Sequence, residues 1–516
     1  MTPLDLGFAP GLQPRMLMAP LPIRHARVDR TVWAAAARSI AAAGGRLVSI
    51  WASERGADDG PIAHVAYATA DGLLWLELPI EAGAGVPDLA GHFACAVRLQ
   101  RAMADLSGLR TEGCDDARPW LDHGLWAPGP APLQRGAQPR GLDGLPADYA
   151  FVRVEGDGVH EIAVGPVHAG IIEPGHFRFS VVGEKVLRLE QHLGYVHKGI
   201  ERRFTEMVPL DAHRLAGRVS GDSTVAYAWA YCRALESAWG CELPPRAAWL
   251  RAVLLERERI ANHLGDIGAL GNDAALAFGL AQFSRLREDW QRLSGELFGH
   301  RLMMDAIVPG GVAVDLPGAA ADRLRRQCDA IEAEVRRLRT VYDEHAGLQD
   351  RFVGTGRVLP ALAAQLGLTG MAGRASGQTA DLRCDHDWAP YAPCKLALSS
   401  SRDGDVAARV ALRFDEVFES LRFLRAVCDG LPGGAVRADL TPPGAAALGA
   451  GWVEGWRGEV LVAIETGADG RIGRCHCHDP SWQNWPVLEH AVIGNIVPDF
   501  PLINKSFNLS YSGHDL

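Results

Sequence analysis

Along the second half of the chain, apolar positions recur every three and four residues. That period predicts amphipathic helices over 222–238, 246–270, 275–298, 318–346 and 404–428. The first part reads differently. Residues 32–43 form an alanine-rich helical run, HVAYATADGLLWLELPI reads as two strands around an Asp71-Gly72 turn, and FACAVRLQRAMADLSGL reads as an amphipathic helix. Between 151 and 195 the pattern alternates like strands broken by Gly-rich turns, and 458–483 returns to short strands. The chain closes in an irregular stretch, GNIVPDFPLINKSFNLSYSGHDL, polar, aromatic and Pro-punctuated, which is expected to pack into something rather than fray. The patterning predicts an α+β protein: a small N-terminal α/β domain over 1–126, then a mainly α-helical domain over 149–516 with small peripheral sheets. Between them, 127–148 holds five prolines and four glycines and reads as an extended linker.

Composition narrows the classes without naming one. At 516 residues with 48% apolar and 22% charged positions, the chain can bury a large core. A formal charge of −10 argues against a nucleic-acid binder. No run of apolar residues is long enough to span a membrane, and the N-terminus lacks the pattern of a signal peptide. The ten cysteines include no C-x-x-C, which removes the commonest zinc, iron–sulfur and thioredoxin signatures.

Several motifs carry candidate chemistry. In GPVHAGIIEPGHFRF, His168, His176 and Arg178 sit on or beside the Gly165-Pro166 and Pro174-Gly175 turns. Loops on a rigid scaffold commonly display functional groups, although such histidines equally serve loop backbone. YVHKGIERR reads as a helix start with His197 and Glu201 four apart on one solvated face. In LLERERIANHLGDIGALGND, Glu256, Arg259 and His263 share a helical face, with Asp266 and Asp273 further on. Turned inward, such a face needs partners; turned outward, it is ordinary. Asp405, Arg409, Arg413 and Glu416 repeat the theme on another helix, where solvated pairs are the usual outcome. In RCHCHDPSWQNW, alternation puts Cys475 and Cys477 on one strand face and His476 and His478 on the other, with no second ligand pair at zinc-finger spacing. There is no dinucleotide fingerprint, P-loop, nucleophile elbow or H-E-x-x-H.

Taken in order, GPVHAG, EPGHFR, GYVHKGIE, ERIANHLGDIGA, PGGV, DRFVGTGRV, LGLTGMAGRASG, DLRCDHD, GDVAARVALR, HDPSWQNW and VPDFPLINKSFNLSYSG run collinearly over residues 150–516. This series resembles the large subunit of membrane-bound, energy-converting (group 4) nickel–iron hydrogenases, as in formate hydrogenlyase, which is homologous to the quinone-site large subunit of respiratory complex I. AVRLQRAMADLSGLRTEGCDDARPWL resembles the small accessory subunit of complex I, fused here as in the formate hydrogenlyase large subunit.

The departures bear on function. The hydrogenase pattern holds its metals with two C-x-x-C pairs; here Ala216 and Val219 stand at the first pair and Ser510 and Gly513 at the second. Nickel needs soft thiolate donors, so no nickel–iron centre is expected. The complex I resemblance implies instead a quinone headgroup served by a histidine on the first strand loop, a tyrosine near the first cysteine place and an aspartate behind the histidine. Either His168 or His176 fits the histidine and Asp273 fits the aspartate, while Gly217 stands at the tyrosine position. Arg178, His197, Glu256, Arg259, His263, Arg409 and Arg413 form the expected supporting polar set.

The resemblance therefore implies a metal-free subunit of a complex I-related redox complex. It would receive electrons from an iron–sulfur cluster in a small partner subunit and pass them to a quinone or similar acceptor, beside membrane-embedded, antiporter-like subunits. Its place would be peripheral, on the cytoplasmic face of the inner (plasma) membrane, and any NAD chemistry would belong to other subunits. The alternative is a non-catalytic coupling scaffold between a soluble module and ion-translocating subunits. A working hydrogenase is the reading the missing cysteines oppose.

Overall fold

The computed structural model describes residues 12–55, 60–138, 146–170 and 172–516. The N-terminal part is built on a five-stranded sheet in the spatial order Arg15–Met16, Ile23–Arg27, Gly72–Pro79, Ile62–Thr69, Arg46–Ser53. Ile23–Arg27 and Gly72–Pro79 pair parallel; the other pairs are antiparallel. Helix Arg30–Ala42 starts where Asp29 accepts a hydrogen bond from the Val32 amide at 2.9 Å. It buries Trp33, Ala36, Ala37 and Ile40, one stripe at helical spacing. The expected hairpin around Asp71-Gly72 is present. Strand Arg46–Ser53 did not stand out as alternating because seven of its eight residues are buried.

The large domain has its five long helices close to their predicted places: Thr224–Trp239, Pro245–Asp273, Ala277–Phe298, Gly318–Glu344 and Val406–Gly430. An antiparallel sheet of Ala447–Glu454, Glu459–Thr466 and Ile472–His478 lies against Thr224–Trp239. That approach needs glycine: a Cβ on Gly451 would stand 1.9 Å from the Ala230 carbonyl oxygen. A second sheet, Val159–Val164, His176–Val182 and Lys185–His192, carries the histidine loop. The C-terminal stretch corrects the expectation of irregular structure, for it is largely helical, with Phe500–Phe507 and Tyr511–Asp515, and a further helix, Ser481–Ala491, precedes it. Its packing is as expected, with Leu502, Ile503, Phe507 and Tyr511 all buried. Among the described residues no helix is long and apolar enough to cross a membrane.

The two domains join along the sheet edges Arg46–Ser53 and Ile472–His478. Ser49 Oγ lies 2.7 Å from His476 Nε2, whose ring stacks on Trp51 at 4.6 Å, and Gln483 donates to the Val48 carbonyl at 2.6 Å. Arg46 pairs with Glu459, and Arg55 with Glu465 at 2.6 Å. Part of the linker stretch also packs back, the Leu133 amide donating to Leu106 at 2.8 Å; residues 139–145 lie outside the described set.

Candidate functional site

The two segments that stand at the cysteine-pair places meet although almost 300 residues apart. Ser510 caps the last helix, its Oγ accepting from the Gly513 amide at 2.8 Å and lying 3.1 Å from Ser220 Oγ. Ala216, Val219 and Ser510 are buried. At Gly513 an added Cβ would fall 2.3 Å from Asp479 Oδ2, so this carboxylate lies where a side chain at 513 would go. Asp479 is held there by the Tyr227 hydroxyl at 2.7 Å and the Ser481 amide at 2.8 Å. Lys198 donates to the Val219 carbonyl at 2.9 Å. Beside them Arg457 binds Asp222 at 2.6 Å and the Asn508 carbonyl at 2.6 Å. Burial alone would raise the Asp222 carboxyl; the guanidinium overcomes it and holds the group at about 2. The donor set does not fit a nickel–iron centre: three of the four places carry no ligand atom, and Ser510 Oγ already serves Ser220 and Gly513.

The structure separates the two candidate histidines. His176 opens strand His176–Val182, packs on Phe151 at 5.1 Å and receives the Arg178 Nε at 3.4 Å; burial and the Arg178 charge both lower its pKa. Arg178 in turn pairs with Glu161 at 2.9 Å. His168, in the loop before that strand, lies near the 510–513 segment, its ring 6.5 Å from Tyr511. Its Nδ1 stands 3.1 Å from the Pro166 carbonyl, while Nε2 is buried with no partner. Asp273 sits at the exposed end of helix Pro245–Asp273 and makes no hydrogen bond to either histidine. At Gly217 a Cβ would stand 2.8 Å from Thr224 Oγ1, so a larger residue there would make that hydroxyl shift.

Glu256, Arg259, His263, Arg409 and Arg413 of the supporting polar set lie in a buried ionic core, which decides the alternative left open for the first helix and corrects the solvated reading of the second, while Arg178 and His197 stand apart from it. Glu256 accepts from Arg259 at 3.0 Å, Arg383 at 3.1 Å, Ser420 at 2.6 Å and Tyr391 at 3.1 Å. Glu416 joins His263 at 2.8 Å to Arg374 at 2.7 Å, and Arg374 continues to Glu454 at 2.9 Å. Burial would raise the Glu416 carboxyl, but Arg374 and His263 hold it well below the ordinary range. Arg413 binds Asp266 at 3.0 Å, and Asn508 donates to the same carboxylate at 2.6 Å, which ties the C-terminal segment to the core. Arg409 donates to the Gly404 and Gly356 carbonyls and to Ser506. A buried charge is tolerated only when paired and hydrogen-bonded throughout.

His197 and Glu201 do not share a helical face. Gly199, at φ 66°, breaks the backbone between them. His197 Nδ1 meets the Asp515 carbonyl at 2.7 Å. Glu201 is buried against Arg474 at 2.9 Å and His476 at 2.6 Å. Ser49, His476 and Glu201 thus line up as a hydroxyl–imidazole–carboxylate series, but Ser49 is wholly buried and the series works as a domain latch. Cys475 and Cys477 share one strand face as expected, and His476 and His478 the other, with all four buried. Among the described residues the one group of three with metal-ligand geometry is His64, Glu77 and Glu465, and Arg55 already bonds both of its carboxylates.

Pattern reading missed Asp222, Arg374, Asp381, Glu454, Arg457, Asp479 and Tyr511 as site residues. Arg374, Asp381, Asp479 and Tyr511 lie inside the collinear motifs, so order was the available signal; their partners are distant in sequence.

The frame of the large domain is a small sheet packed on Thr224–Trp239, the long buried helix Pro245–Asp273, and a C-terminal segment that returns to the start of the domain. The family model for the respiratory-chain NADH dehydrogenase, 49 Kd subunit, matches residues 273–447, and the chain belongs to this family. It is 30% identical to formate hydrogenlyase subunit 5 of Escherichia coli (strain K12), over 86% of this chain and 79% of that protein. It is 27% identical to NADH-quinone oxidoreductase subunit 4 of Thermus thermophilus, over 71% of this chain and 96% of that one. In fold it matches a chain of the membrane-bound sulfane sulfur reductase, an archaeal respiratory membrane complex, with TM-score 0.65 and 23% identity over 70% of this chain and 99% of that chain. The protein is a complex I-like, hydrogenase-large-subunit-like member of the group 4 hydrogenase and complex I-related oxidoreductases.

Proposed function

We propose that the chain is a metal-free redox subunit, peripheral on the cytoplasmic face of the inner membrane. It receives electrons from an iron–sulfur small subunit and delivers them to a quinone or similar acceptor next to membrane-embedded, antiporter-like subunits. One observation carries the reading. The four cysteine places are closed over by Ser510, Ser220 and Asp479, while His168 beside them keeps an open, buried acceptor nitrogen. Exposed apolar side chains at Val167, Tyr195 and Val208, on segments flanking this corner, suit a lipophilic ligand or a partner subunit. His168 is the preferred proton-handling group over His176, whose ring nitrogen is already engaged by Arg178. Asp273 is retained as a secondary candidate.

Metal analysis together with quinone mass spectrometry on the complex purified from its native membrane tests this. The expected result is quinone near stoichiometry and no nickel; stoichiometric nickel overturns the metal-free reading. A sample with neither supports a second reading, a coupling scaffold. That reading is favoured by the continuous polar link from the cysteine-place segment through Asn508, Asp266 and Arg413 into the helical core.

A further inference from the structure

One stripe of helix Thr224–Trp239, at i, i+4 and i+8, carries Trp229 Nε1, Arg233 Nε and Ser237 Oγ, each buried and without a partner among the described residues. Arg233 is the sharpest case. It is 5% exposed, and its guanidinium sits in the angle between two indoles, 4.7 Å from the Trp229 ring and 4.6 Å from the Trp388 ring. Those rings stand 6.0 Å apart and tilted by 54°. They attract the charge but offer no acceptor. Among the described residues no carbonyl, hydroxyl or carboxylate accepts from Arg233. Glu236, three residues on, is already taken by Arg251 at 2.5 Å and 2.9 Å and by the Gly310 amide at 2.9 Å.

The other buried arginines are finished. Arg251, Arg259, Arg374 and Arg413 each meet a carboxylate. A cation held out of water with its donors unused is unfavourable, and methionine would fill the same angle without that penalty. Burial and the Arg251 charge push Arg233 down to about 9, more than Glu236 restores. Nε is sealed, while the two terminal nitrogens, equally unbonded, keep contact with the surface. So small an opening admits a protruding side chain. The loop that carries Trp388 also exposes Ala389, Pro393, Ala397 and Leu398, apolar groups of the kind that protein interfaces bury.

We infer that Arg233, held open by Trp229 and Trp388, is the anchor for a side-chain carboxylate of another subunit. This rests on the chain being one subunit of a larger complex and is independent of the acceptor site. The terminal N–H groups fit a carboxylate as a fork, and the indoles keep water from the pair.

The test uses the intact purified complex carrying Arg233→Lys or Arg233→Met. Carbodiimide joins an amine to a carboxylate in direct contact, the reagent taking up the water that is lost. In Arg233→Lys, peptide mass spectrometry should find position 233 amide-linked to an Asp or Glu of another subunit. In Arg233→Met that subunit should leave at least about tenfold faster, followed by native mass spectrometry. Links from 233 only within this chain, or none, overturn the anchor. Release that Arg233→Met leaves unchanged overturns it as well, and both results leave membership of a complex standing. A wild-type chain that purifies with no other subunit overturns the anchor and the reading on which it rests.

Discussion

The helical core and the corner beneath the histidine loop are both buried and both polar, yet they are finished differently. In the core, Glu256, Glu416, Arg374 and Asp266 each meet two or more partners. In the corner, His168 Nε2 and the Tyr511 hydroxyl have none. The charged groups of the core are paired, which is what a charged interior needs to persist, although His263 Nδ1 there is also buried without a partner. The contrast is the ground for reading architecture into the first region and for proposing ligand contact at the second.

The strongest way to break this comparison is Arg374→Met. It leaves Glu416 and Glu454 without their shared cation, and loss of one partner of a buried pair costs about 3–5 kcal/mol. Chemical denaturation of the complex should read a loss of that size; a change under about 1 kcal/mol would mean the network is redundant.

Acid should come next. Burial holds His192 and His478 at about 3 against an ordinary 6.5, so below pH 6.5 the unfolded chain takes up protons that the folded one refuses. Asp222 and Glu201, held at about 2 by Arg457 and Arg474 in spite of burial, add a second loss as pH falls below their ordinary 3.8 and 4.5. Glu258 and Glu454, pushed by burial to about 8 and about 7, work with the opposite sign and offset that loss. The histidine share is therefore read as a difference: the fall in melting temperature between pH 6.5 and 4 should be smaller in His192→Gln than in wild type, and an unchanged profile would refute it.

Gly513→Cys restores one thiol but forces it against Asp479, and should cost about 1–3 kcal/mol. Adding Asp479→Ala should recover part of that loss, with no nickel retained by either variant. A single variant as stable as wild type would show that the corner has room to spare. The smallest effect is expected from Asp273→Asn, within about 0.5 kcal/mol in stability. Loss of quinone binding in that variant would bring Asp273 into the proposed acceptor site.

The long helices were legible because each exposes its period within its own sequence. The C-terminal helices were not. Pro501 lies in the first turn of Phe500–Phe507, and Asn508 caps it with φ 46°, so both ends look like loop punctuation. The assignment of Ala216, Val219, Ser510 and Gly513 to the cysteine places rests on motif order alone. The choice between His168 and His176 was not legible, because it turns on which ring nitrogen finds a partner across the loop.

The sequence by itself determined the α+β class, the positions of the long helices and the family frame. These depend on local period and on motif order. Only the tertiary structure decided that the charged helix faces turn inward, that Asp479 fills the space beside Gly513, and that Tyr511 comes to His168. Each of those facts depends on groups brought together from distant parts of the chain, and whether a polar atom is satisfied is a property of the neighbours that folding supplies.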